Sequence, residues 1–342
     1  MISASATSST TNRRVPDARR AVRVCVAAPA RLHLGFFDPN ASLGRAFGSL
    51  GLTLDAPVTQ VEIGSADDDR VDAPPEAARE TQRARAHIAR LKQLTGKHDA
   101  LAVRLERVLP AHAGLGSGTQ LALSLGRAFA ELHGIEISTT ELAGGLDRGK
   151  RSGVGVAGFD RGGLLVDGGR RADGAVAPLL ARLDFPSAWR VLLLIDPRAR
   201  GLHGEAERAA LAALPALSEV AAAHLCHLVL MRVLPAVAEA DFAPFADGIN
   251  RMQRAIGAYF APVQRGRIYL SAEVESTLEW MQANEGAGVG QSSWGPTGFA
   301  FLPSMEAAQR ALARAQSAGV VDQALQPMIV SAQNSGATTL RK

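Results

Sequence analysis

The sequence predicts an α+β fold with two lobes, in which an N-terminal mixed sheet with helices is followed by a lobe of helices on a smaller sheet. Two observations favour this class: apolar runs of strand length open the chain, and residues from about 205 to 285 have an almost wholly helical pattern. A chain of 342 residues is long enough for two such lobes. We predict a disordered tail at 1–21, domains at 22–190 and 191–335, and a tail at 336–342.

The elements of the first domain follow from apolar patterns and from the residues that interrupt them. Apolar runs predict strands at 22–28, 31–37, 49–55, 58–63 and 101–108. Helical patterns predict helices at 76–95, ending at Gly96, and at 119–133, ending at Gly134. Ser138 and Glu141 have the spacing of a capping box, which predicts a further helix. The glycine-dense segment 149–169 predicts a flexible or ligand-approaching loop that ends in a short strand at 164–166.

The second domain is predicted to begin with a strand at 189–196, which Pro197 terminates. The helical region that follows should be interrupted by prolines, because a proline removes a backbone donor and clashes with the preceding turn. We expect these breaks near Pro215, Pro235, Pro244 and Pro262. Strands are predicted again at 298–302 and 328–331, on either side of a helix at 305–317.

Composition favours small-molecule chemistry. The 37 basic and 33 acidic residues nearly balance, which argues against a dedicated nucleic-acid surface. Cys25 and Cys226 lie in apolar runs and are expected to be reduced thiols in the core of a cytoplasmic protein. No uninterrupted apolar run approaches the roughly 18 to 20 residues that span a bilayer, so we expect no membrane partner.

The segment 110–123 joins a glycine-rich turn to the start of an apolar helix. Gly114, Gly116 and Gly118 allow positive φ and a close approach of the backbone to a ligand, and the first amides of the helix point into the turn. Such a junction binds anions, above all phosphate. The spacing fits neither a Walker loop nor a dinucleotide-binding fingerprint. On the residues alone, a purely structural turn remains an alternative.

This segment resembles the phosphate loop of the GHMP kinase superfamily, and 29–35 lies where those proteins carry their first motif. Their third motif, a Thr-Gly-Ala-Gly-Gly-Gly-type turn, is replaced here by 290–298, which reads Gly-Gln-Ser-Ser-Trp-Gly-Pro-Thr-Gly. Together with Arg-Leu-His-Leu-Gly at 31–35 and Arg-Ser-Gly-Val-Gly at 151–155, these spellings are similar to the β-ribofuranosylaminobenzene 5′-phosphate synthase family. The similarity runs in order from about 22 to 335.

The resemblance implies a GHMP kinase-like fold, a homodimer and a decarboxylating phosphoribosyl transfer in tetrahydromethanopterin biosynthesis. Phosphoribosyl pyrophosphate and 4-aminobenzoate or 4-hydroxybenzoate would give the aryl riboside 5-phosphate, CO2 and pyrophosphate. The departing pyrophosphate carries several negative charges, whereas a helix end supplies only about half a positive charge. Magnesium and basic side chains are therefore expected to supply the rest. Which benzoate is the acceptor stays open.

The candidate site residues lie in and beside these motifs. We predict catalytic roles for Asp38, His112 and Asp160, the last because GHMP kinases often place a catalytic Asp there, and Asp167 is a further candidate for holding magnesium or accepting a proton. His33 is equally compatible with a core histidine and with a substrate contact. Trp294 is expected to form an aromatic wall for the benzoate ring. The predicted substrate-binding residues are Arg31, Arg45, Gly114, Leu115, Gly116, Ser117, Gly118, Thr119, Lys150, Arg151, Ser152, Ser292, Ser293, Trp294 and Thr297.

Two other functions remain as alternatives. One is an ATP-dependent GHMP small-molecule kinase, against which the altered third motif stands. The other is a non-catalytic ligand-binding protein on the same fold, which would be expected to lose the charged residues beside its glycine loops, whereas Lys150, Arg151 and Asp160 are present.

Overall fold

The computed structural model describes residues 22–201 and 204–342, without the side chains of 206–208, so the predicted tail at 1–21 lies outside the described residues. The strands are β1 Arg23–Asp38, β2 Phe47–Ser65, β3 Arg70–Asp72, β4 Leu101–Arg107, β5 Leu164–Asp167, β6 Leu179–Leu183, β7 Arg190–Ile195, β8 Gly288–Gln291, β9 Gly298–Leu302, β10 Gln326–Val330 and β11 Thr338–Arg341. The helices are α1 Thr81–Thr95, α2 Ser117–His133, α3 Thr139–Gly145, α4 Val154–Arg161, α5 Gly204–Ala213, α6 Glu219–Leu228, α7 Leu234–Ala238, α8 Phe242–Phe260, α9 Ala272–Glu285 and α10 Met305–Ser317.

Two sheets form the framework, and the predicted two-lobed α+β fold is confirmed. The first sheet has seven strands in the order β11-β1-β2-β4-β3, with β5 paired to β2 and β6 to β5. The second has four antiparallel strands in the order β10-β7-β9-β8. One core cluster contains Leu50 and Leu52 of the first sheet, Val191 of the second and Phe245 of α8, so the two lobes share buried apolar packing.

Two long strands replace the four short ones predicted at the start of the chain. β1 and β2 pair antiparallel along most of their length, with register shifts between Pro29 and Ala30 and between His33 and Gly35. A proline lacks an N–H, and a bulge accommodates that lack without ending the strand. The sequence signals that predicted strand ends therefore mark bulges.

Helix boundaries in the first lobe follow local signals, with two corrections. Gly96 and Gly134 end α1 and α2 in the left-handed conformation, and the capping box of Ser138 and Glu141 is formed. The helix predicted at 76–95 begins instead with a 3-10 segment, Pro75–Glu80. The predicted glycine-dense loop contains α4, because its apolar residues bury one side against the sheet.

The prolines of the second lobe interrupt helices less often than predicted. Pro235 lies inside a continuous helix, Glu219–Ala238, because a π-helical turn at Val229–Val233 adjusts the backbone just before it. The break predicted near Pro244 is present between α7 and α8, and the proline itself lies in the first turn of α8, where a missing N–H has little cost. Pro215 lies between α5 and α6, and Pro262 lies in a 3-10 turn after α8. The helix breaks predicted at these two prolines are therefore confirmed.

The predicted tail at 336–342 is part of the first sheet. β11 pairs antiparallel with β1, and Ala337 N–H donates to the Phe159 carbonyl. Gln333 N–H donates to the Thr53 carbonyl, so the chain has already returned to the first lobe before 335. The reason is the open edge of β1, whose backbone groups need partners that the polar sequence of 338–341 supplies.

Helix Glu219–Ala238 corrects one composition-based expectation and bears on a second. Cys25 is buried as predicted, but Cys226 is exposed, because it lies on the outer face of this helix. Among the described residues this helix, with a mean hydropathy of 1.7, is long and apolar enough to cross a membrane by those criteria alone. It packs against β1 and α8, and apolar core helices of folded proteins meet the same criteria.

Candidate active site

Three distant segments meet at the N-terminus of α2. Arg31 of β1 donates from its backbone to the Leu115 carbonyl at 3.2 Å and from its guanidinium to the Gly114 carbonyl at 2.7 Å. The Ser292 hydroxyl also donates to Gly114 O, at 2.7 Å, and accepts from the backbone of His33 at 3.0 Å. The first motif, the glycine loop and the altered third motif therefore form one hydrogen-bonded unit.

Glycines make this junction possible. Gly114 has φ of 84°, and a Cβ there would lie 2.2 Å from the Ser292 carbonyl oxygen. A Cβ on Gly295 would lie 2.2 Å from the Ala113 carbonyl oxygen. Because real Cβ atoms do not approach backbone atoms so closely, the loop and the 291–297 turn can pack together only with glycine at both positions.

A wide cleft opens over the first turn of α2, with a volume of about 840 Å³. Among the described residues that line it, six carry a permanent positive charge and one, Asp147, carries a carboxylate, which is paired with Lys150. The six are Arg31, Arg83, Arg148, Lys150, Arg151 and Arg170. A helix N-terminus surrounded by guanidinium groups is a strong site for phosphate groups.

The guanidinium groups of Arg83 and Arg148 crowd together beside Gly118. A Cβ on Gly118 would meet Arg83 Nη2 at 2.8 Å and Arg148 Nη1 at 3.4 Å. Arg148 Nη2 lies 3.3 Å from His87 Nε2, and burial followed by the charges of Arg148 and Arg83 lowers the pKa of His87 to about 4. Glu80 pairs with Arg83 at 2.8 Å. The cluster therefore has excess positive charge that an anionic ligand would neutralise.

Sequence reasoning missed three of these arginines. Arg83 lies on α1, Arg148 follows α3, and Arg170 follows β5 with its guanidinium 5.6 Å from the centre of the Phe47 ring. Arg148 stands in the basic run 148–151, which was a usable signal. Arg83 is one of several arginines on its helix, and nothing in the sequence distinguishes it from the others.

The structure brings many of the predicted site residues into the cleft. Trp294 is 5% exposed and packs edge-on against Phe260, with ring centres 4.6 Å apart. His112 has φ of 60°, and its backbone carbonyl accepts a hydrogen bond from Gly201 N–H at 3.3 Å. The predicted residues that line the cleft are Arg31, His112, Gly114, Gly116, Ser117, Gly118, Thr119, Lys150, Arg151, Ser293 and Trp294.

The predicted catalytic carboxylates lie elsewhere. Asp160 is exposed on α4 and accepts a hydrogen bond from Thr139. Asp38 closes its own turn by accepting from Asn40 N–H and Ser42 N–H. Their placement does not favour the predicted catalytic roles, because neither lines the cleft.

Asp167 is a structural carboxylate of the loop beside the cleft. It accepts from Gly153 N–H at 2.8 Å, Gly169 N–H at 2.9 Å and the Ser152 hydroxyl at 3.1 Å. Burial raises its pKa, and these hydrogen bonds oppose the rise. Asp167 and Ser152 therefore hold the 152–169 region in place and are engaged with each other.

Four further predicted binding residues are not among those that line the cleft. Both hydrogen bonds of the Ser292 hydroxyl go to backbone groups, so it joins segments and is not free to donate to a ligand. Thr297 and Leu115 are fully buried, since one precedes β9 and the other packs in the core. Arg45 is exposed and donates to the Gly169 carbonyl at 3.0 Å.

A second, small cavity, which we call the His33 cavity, shares Ser293 and Trp294 with the cleft. It has a volume of about 30 Å³ and lies between β1, α8 and the 291–297 turn. His33 lines it, is 2% exposed, and has an edge-to-face contact with Phe36 at 4.4 Å between ring centres. Burial and the charge of Arg31 lower the pKa of His33, which keeps its imidazole neutral.

Metal-binding groups are sparse in the described residues. No cluster of three or more His, Cys, Asp or Glu side chains that could hold a metal occurs in 22–201 or 204–342. Magnesium bound through substrate phosphates needs only one or two carboxylates from the protein. Within the described lining of the cleft, Asp147 is the carboxylate that meets this requirement.

Comparison with known proteins places this site in a family. Residues 81–163 match the GHMP kinases N terminal domain, and residues 233–321 match GHMP kinases C terminal. Beta-ribofuranosylphenol 5'-phosphate synthase from Archaeoglobus fulgidus is 34% identical over 290 residues, 81% of this chain and 87% of that protein. This chain belongs to the beta-ribofuranosylphenol 5'-phosphate synthase family. A synthase of the same name from Methanothermobacter thermautotrophicus is 31% identical over 80% of this chain and 87% of its own.

Family membership confirms the resemblance found in the motifs, and it shows that the chain is an enzyme acting on small molecules. Solved structures agree on the fold. Mevalonate diphosphate decarboxylase from Staphylococcus aureus has a TM-score of 0.67 at 13% identity and covers 93% of this chain and 98% of its own. Homoserine kinase from Cytophaga hutchinsonii has a TM-score of 0.62 at 17% identity and covers 95% of this chain and 99% of its own. The predicted GHMP-type fold is confirmed.

Proposed function

We propose that this synthase-family enzyme transfers the phosphoribosyl group of phosphoribosyl pyrophosphate to a 4-substituted benzoate, with release of CO2 and pyrophosphate. The observation that carries the proposal is the basic cleft at the N-terminus of α2, with six cationic side chains and one carboxylate in its described lining. A donor with a 5-phosphate and a pyrophosphate needs this much positive charge. The family name supports the same chemistry.

The reaction asks the protein mainly for electrostatic stabilisation. The ring carbon that bears the carboxylate attacks C1 of the ribose, and the bond to pyrophosphate breaks with both electrons leaving on its oxygen. The bond to the carboxylate then breaks, its electron pair restores the aromatic ring, and CO2 departs. No base is needed at that carbon, so the main task is to stabilise the departing negative charge.

The residues of the cleft divide this task. The amides at the start of α2 and the Arg31 guanidinium face the glycine loop, where a phosphate group would bind. Arg83 and Arg148 lie together beside Gly118, where they would hold a second phosphate group of the donor. His112, in the loop itself, is a candidate for a further contact with the donor.

For the acceptor we propose 4-hydroxybenzoate over 4-aminobenzoate. The relatives are named for a phenol product, and a phenol follows from the hydroxy acid. Trp294 offers an aromatic surface at the edge of the cleft for the benzoate ring. The place of this reaction would be tetrahydromethanopterin biosynthesis, as the family resemblance implies.

Magnesium belongs to this proposal as a partner of the donor phosphates. Asp147 would hold it together with phosphate oxygens, and Ser117 and Thr119 line the same space. When bound, the ion would add positive charge against the leaving pyrophosphate.

The test supplies the full-length enzyme with phosphoribosyl pyrophosphate, magnesium and carboxyl-labelled 4-hydroxybenzoate or 4-aminobenzoate, and follows labelled CO2. We expect release with the hydroxy acid and pyrophosphate in equal amount. Absence of release with either acid, together with ADP formation from ATP and an alcohol, would establish the kinase alternative. Arg151→Ala should weaken use of the donor while leaving the fold intact.

We also propose a cytoplasmic homodimer. Both cysteines are free thiols, which suits a reducing compartment. Val220, Leu230 and Met231 are 81%, 63% and 64% exposed on helix Glu219–Ala238, an apolar face that a second copy could cover. Sedimentation velocity should give a dimer for the native chain and a monomer for Leu230→Glu, and a monomeric native chain would contradict the proposal.

A further inference from the structure

His33 is a buried polar side chain whose ring nitrogens have no partner among the described residues. Neither Nδ1 nor Nε2 makes a hydrogen bond, although the side chain is 2% exposed. A neutral imidazole has one N–H donor and one acceptor nitrogen, and burying both unpaired is costly. Such a group calls for an explanation, and a ligand that fills the His33 cavity provides one.

The polar neighbours in this cavity are engaged with other groups. Gln253 donates to the Leu34 carbonyl and accepts from Gln291 N–H, and Gln264 donates to the Arg267 and Ile268 carbonyls. The Gln291 side chain accepts from Leu270 N–H and donates to Gln264. Three amides are thus held by backbone and by one another. The other polar side chains of the lining are His33, Ser293 and Tyr269, and of these His33 has two buried ring nitrogens without a partner among the described residues.

The size of the cavity limits what it can hold. A cavity needs roughly 10 to 15 Å³ for one water, and an aromatic ring needs on the order of 150 Å³. The His33 cavity, at about 30 Å³, therefore has room for a hydroxyl or an amine but not for a benzoate ring. Ser293 and Trp294 line both this cavity and the cleft, so a group could enter from that side.

We propose that the His33 cavity binds the substituent at position 4 of the acceptor, with the His33 imidazole as its hydrogen-bond partner. This inference rests on the proposed function, because that reaction fixes the orientation: the carboxyl-bearing carbon must face the ribose in the cleft, and the substituent opposite it on the ring points away. The ring itself would lie against Trp294. His33 would thus be a substrate-binding residue that selects benzoates carrying a polar group at position 4.

The same contact has a chemical role. As the ring carbon attacks the ribose, the imidazole nitrogen accepts the proton of the 4-hydroxyl, and the oxygen lone pair moves into the ring. When CO2 leaves, the electron pair of the broken bond returns to the ring and the oxygen recovers its proton from the imidazolium. Arg31 and Arg151, whose charges disfavour a protonated His33, make the imidazolium short-lived.

A ligand and protein double-mutant cycle tests this contact. The KM for 4-hydroxybenzoate and the competitive inhibition constant of unsubstituted benzoate are measured in the full-length enzyme saturated with phosphoribosyl pyrophosphate. The native enzyme should prefer 4-hydroxybenzoate by about 10-fold or more, and His33→Leu should reduce that preference to about twofold or less, with an unchanged KM for the donor. His33→Gln, which keeps a hydrogen-bonding group, should retain part of the preference even where the leucine variant folds poorly.

Thr59→Val is the matched control. Thr59 is fully buried in the same sheet and its hydroxyl also has no partner among the described residues, but it does not line the cavity. It should leave the preference for 4-hydroxybenzoate as in the native enzyme. The full native preference in either His33 variant would overturn the inference, while a native enzyme that releases no CO2 from either acid would overturn the proposed function instead.

Discussion

The cleft and the His33 cavity share two residues but differ in size, in exposure to water and in charge. The cleft has a volume of about 840 Å³, is open to water and is lined by positive charge, whereas the cavity has about 30 Å³, is less open and is lined by a neutral histidine. Charge in an open cleft attracts a highly anionic donor even in water. A narrow, largely buried cavity selects by shape and by hydrogen bonds that are stronger than in an open cleft, because less water competes with them. The turn at 291–297, where the chain departs from the kinase motif, separates the two.

The largest effect is expected from a substitution that forces the 291–297 turn away from the glycine loop. Gly295→Ala places a Cβ 2.2 Å from the Ala113 carbonyl, so the backbone must shift. We expect a loss of kcat/KM of about 100-fold or more and a fall in the free energy of unfolding of about 1 to 3 kcal/mol. Steady-state kinetics and urea unfolding measure both.

Gly144→Ala controls for the loss of a glycine. A Cβ on Gly144 of α3 meets nothing within 4 Å, so the urea midpoint of this variant should equal or exceed that of the native protein. Native-like kinetics in Gly295→Ala would show that the junction tolerates movement and is not needed to separate the two spaces.

Removing one guanidinium from the cleft should affect the donor alone. Arg148→Met is expected to raise the KM for phosphoribosyl pyrophosphate by about 10- to 100-fold and to change the KM for the acceptor by less than about twofold. Arg104→Met is a suitable control, because Arg104 lies exposed on β4 and pairs with Glu106 at 3.6 Å. An equal rise in both KM values would mean that donor and acceptor share the arginine cluster.

In the native enzyme, salt should affect the KM for the donor more than the KM for the acceptor. Raising NaCl from about 0.05 M to about 0.5 M shortens the screening length severalfold, so the KM for the donor should rise several-fold. The acceptor carries one negative charge against several on the donor, so its KM should rise much less than that of the donor. A donor KM that is insensitive to salt would contradict electrostatic binding in the cleft.

The smallest expected effect is a titration. The pKa of His87 is lowered to about 4, so folding disfavours its protonation, and acidification from about pH 6.5 toward pH 4 should destabilise the protein through this group. Saturation with the donor should raise the pKa of His87, because phosphate neutralises Arg148 and Arg83. NMR of the histidine ring protons measures this pKa, and an unchanged value on donor binding would place the phosphates away from the cluster.

Local signals in the sequence were sufficient to predict much of the fold and the glycine loop of the site. Gly96, Gly134 and the capping box at Ser138 act over a few residues, and the structure has each of them as predicted. The glycine loop was recognisable because its glycines and the following helix are contiguous. The strand end predicted at Pro29 and the helix break predicted at Pro235 are absent, because a bulge and a π-helical turn accommodate these prolines.

The rest of the site could not be predicted because it depends on segments far apart in the chain. Arg83 and Arg148 lie close together only because α1 packs beside α2, and nothing in the sequence around either arginine predicts that packing. Asp160 was chosen by analogy with kinases, yet its helix directs it to Thr139. His33 stands in an apolar strand, and it is distinguished only by its place in the lining of the cavity and by two buried nitrogens that have no partner among the described residues.

The pairing of β11 with β1 has a consequence for how the protein is made. Arg23 and Lys342 exchange two backbone hydrogen bonds, so the strand that opens the described chain is completed by the strand near its end. During synthesis one edge of β1 therefore stays unpaired until residues 338–341 have left the ribosome, and an exposed edge strand favours association with other chains. Truncation within 338–341 would make that transient state permanent, and the loss should appear as aggregation of newly made protein before it appears as lost activity.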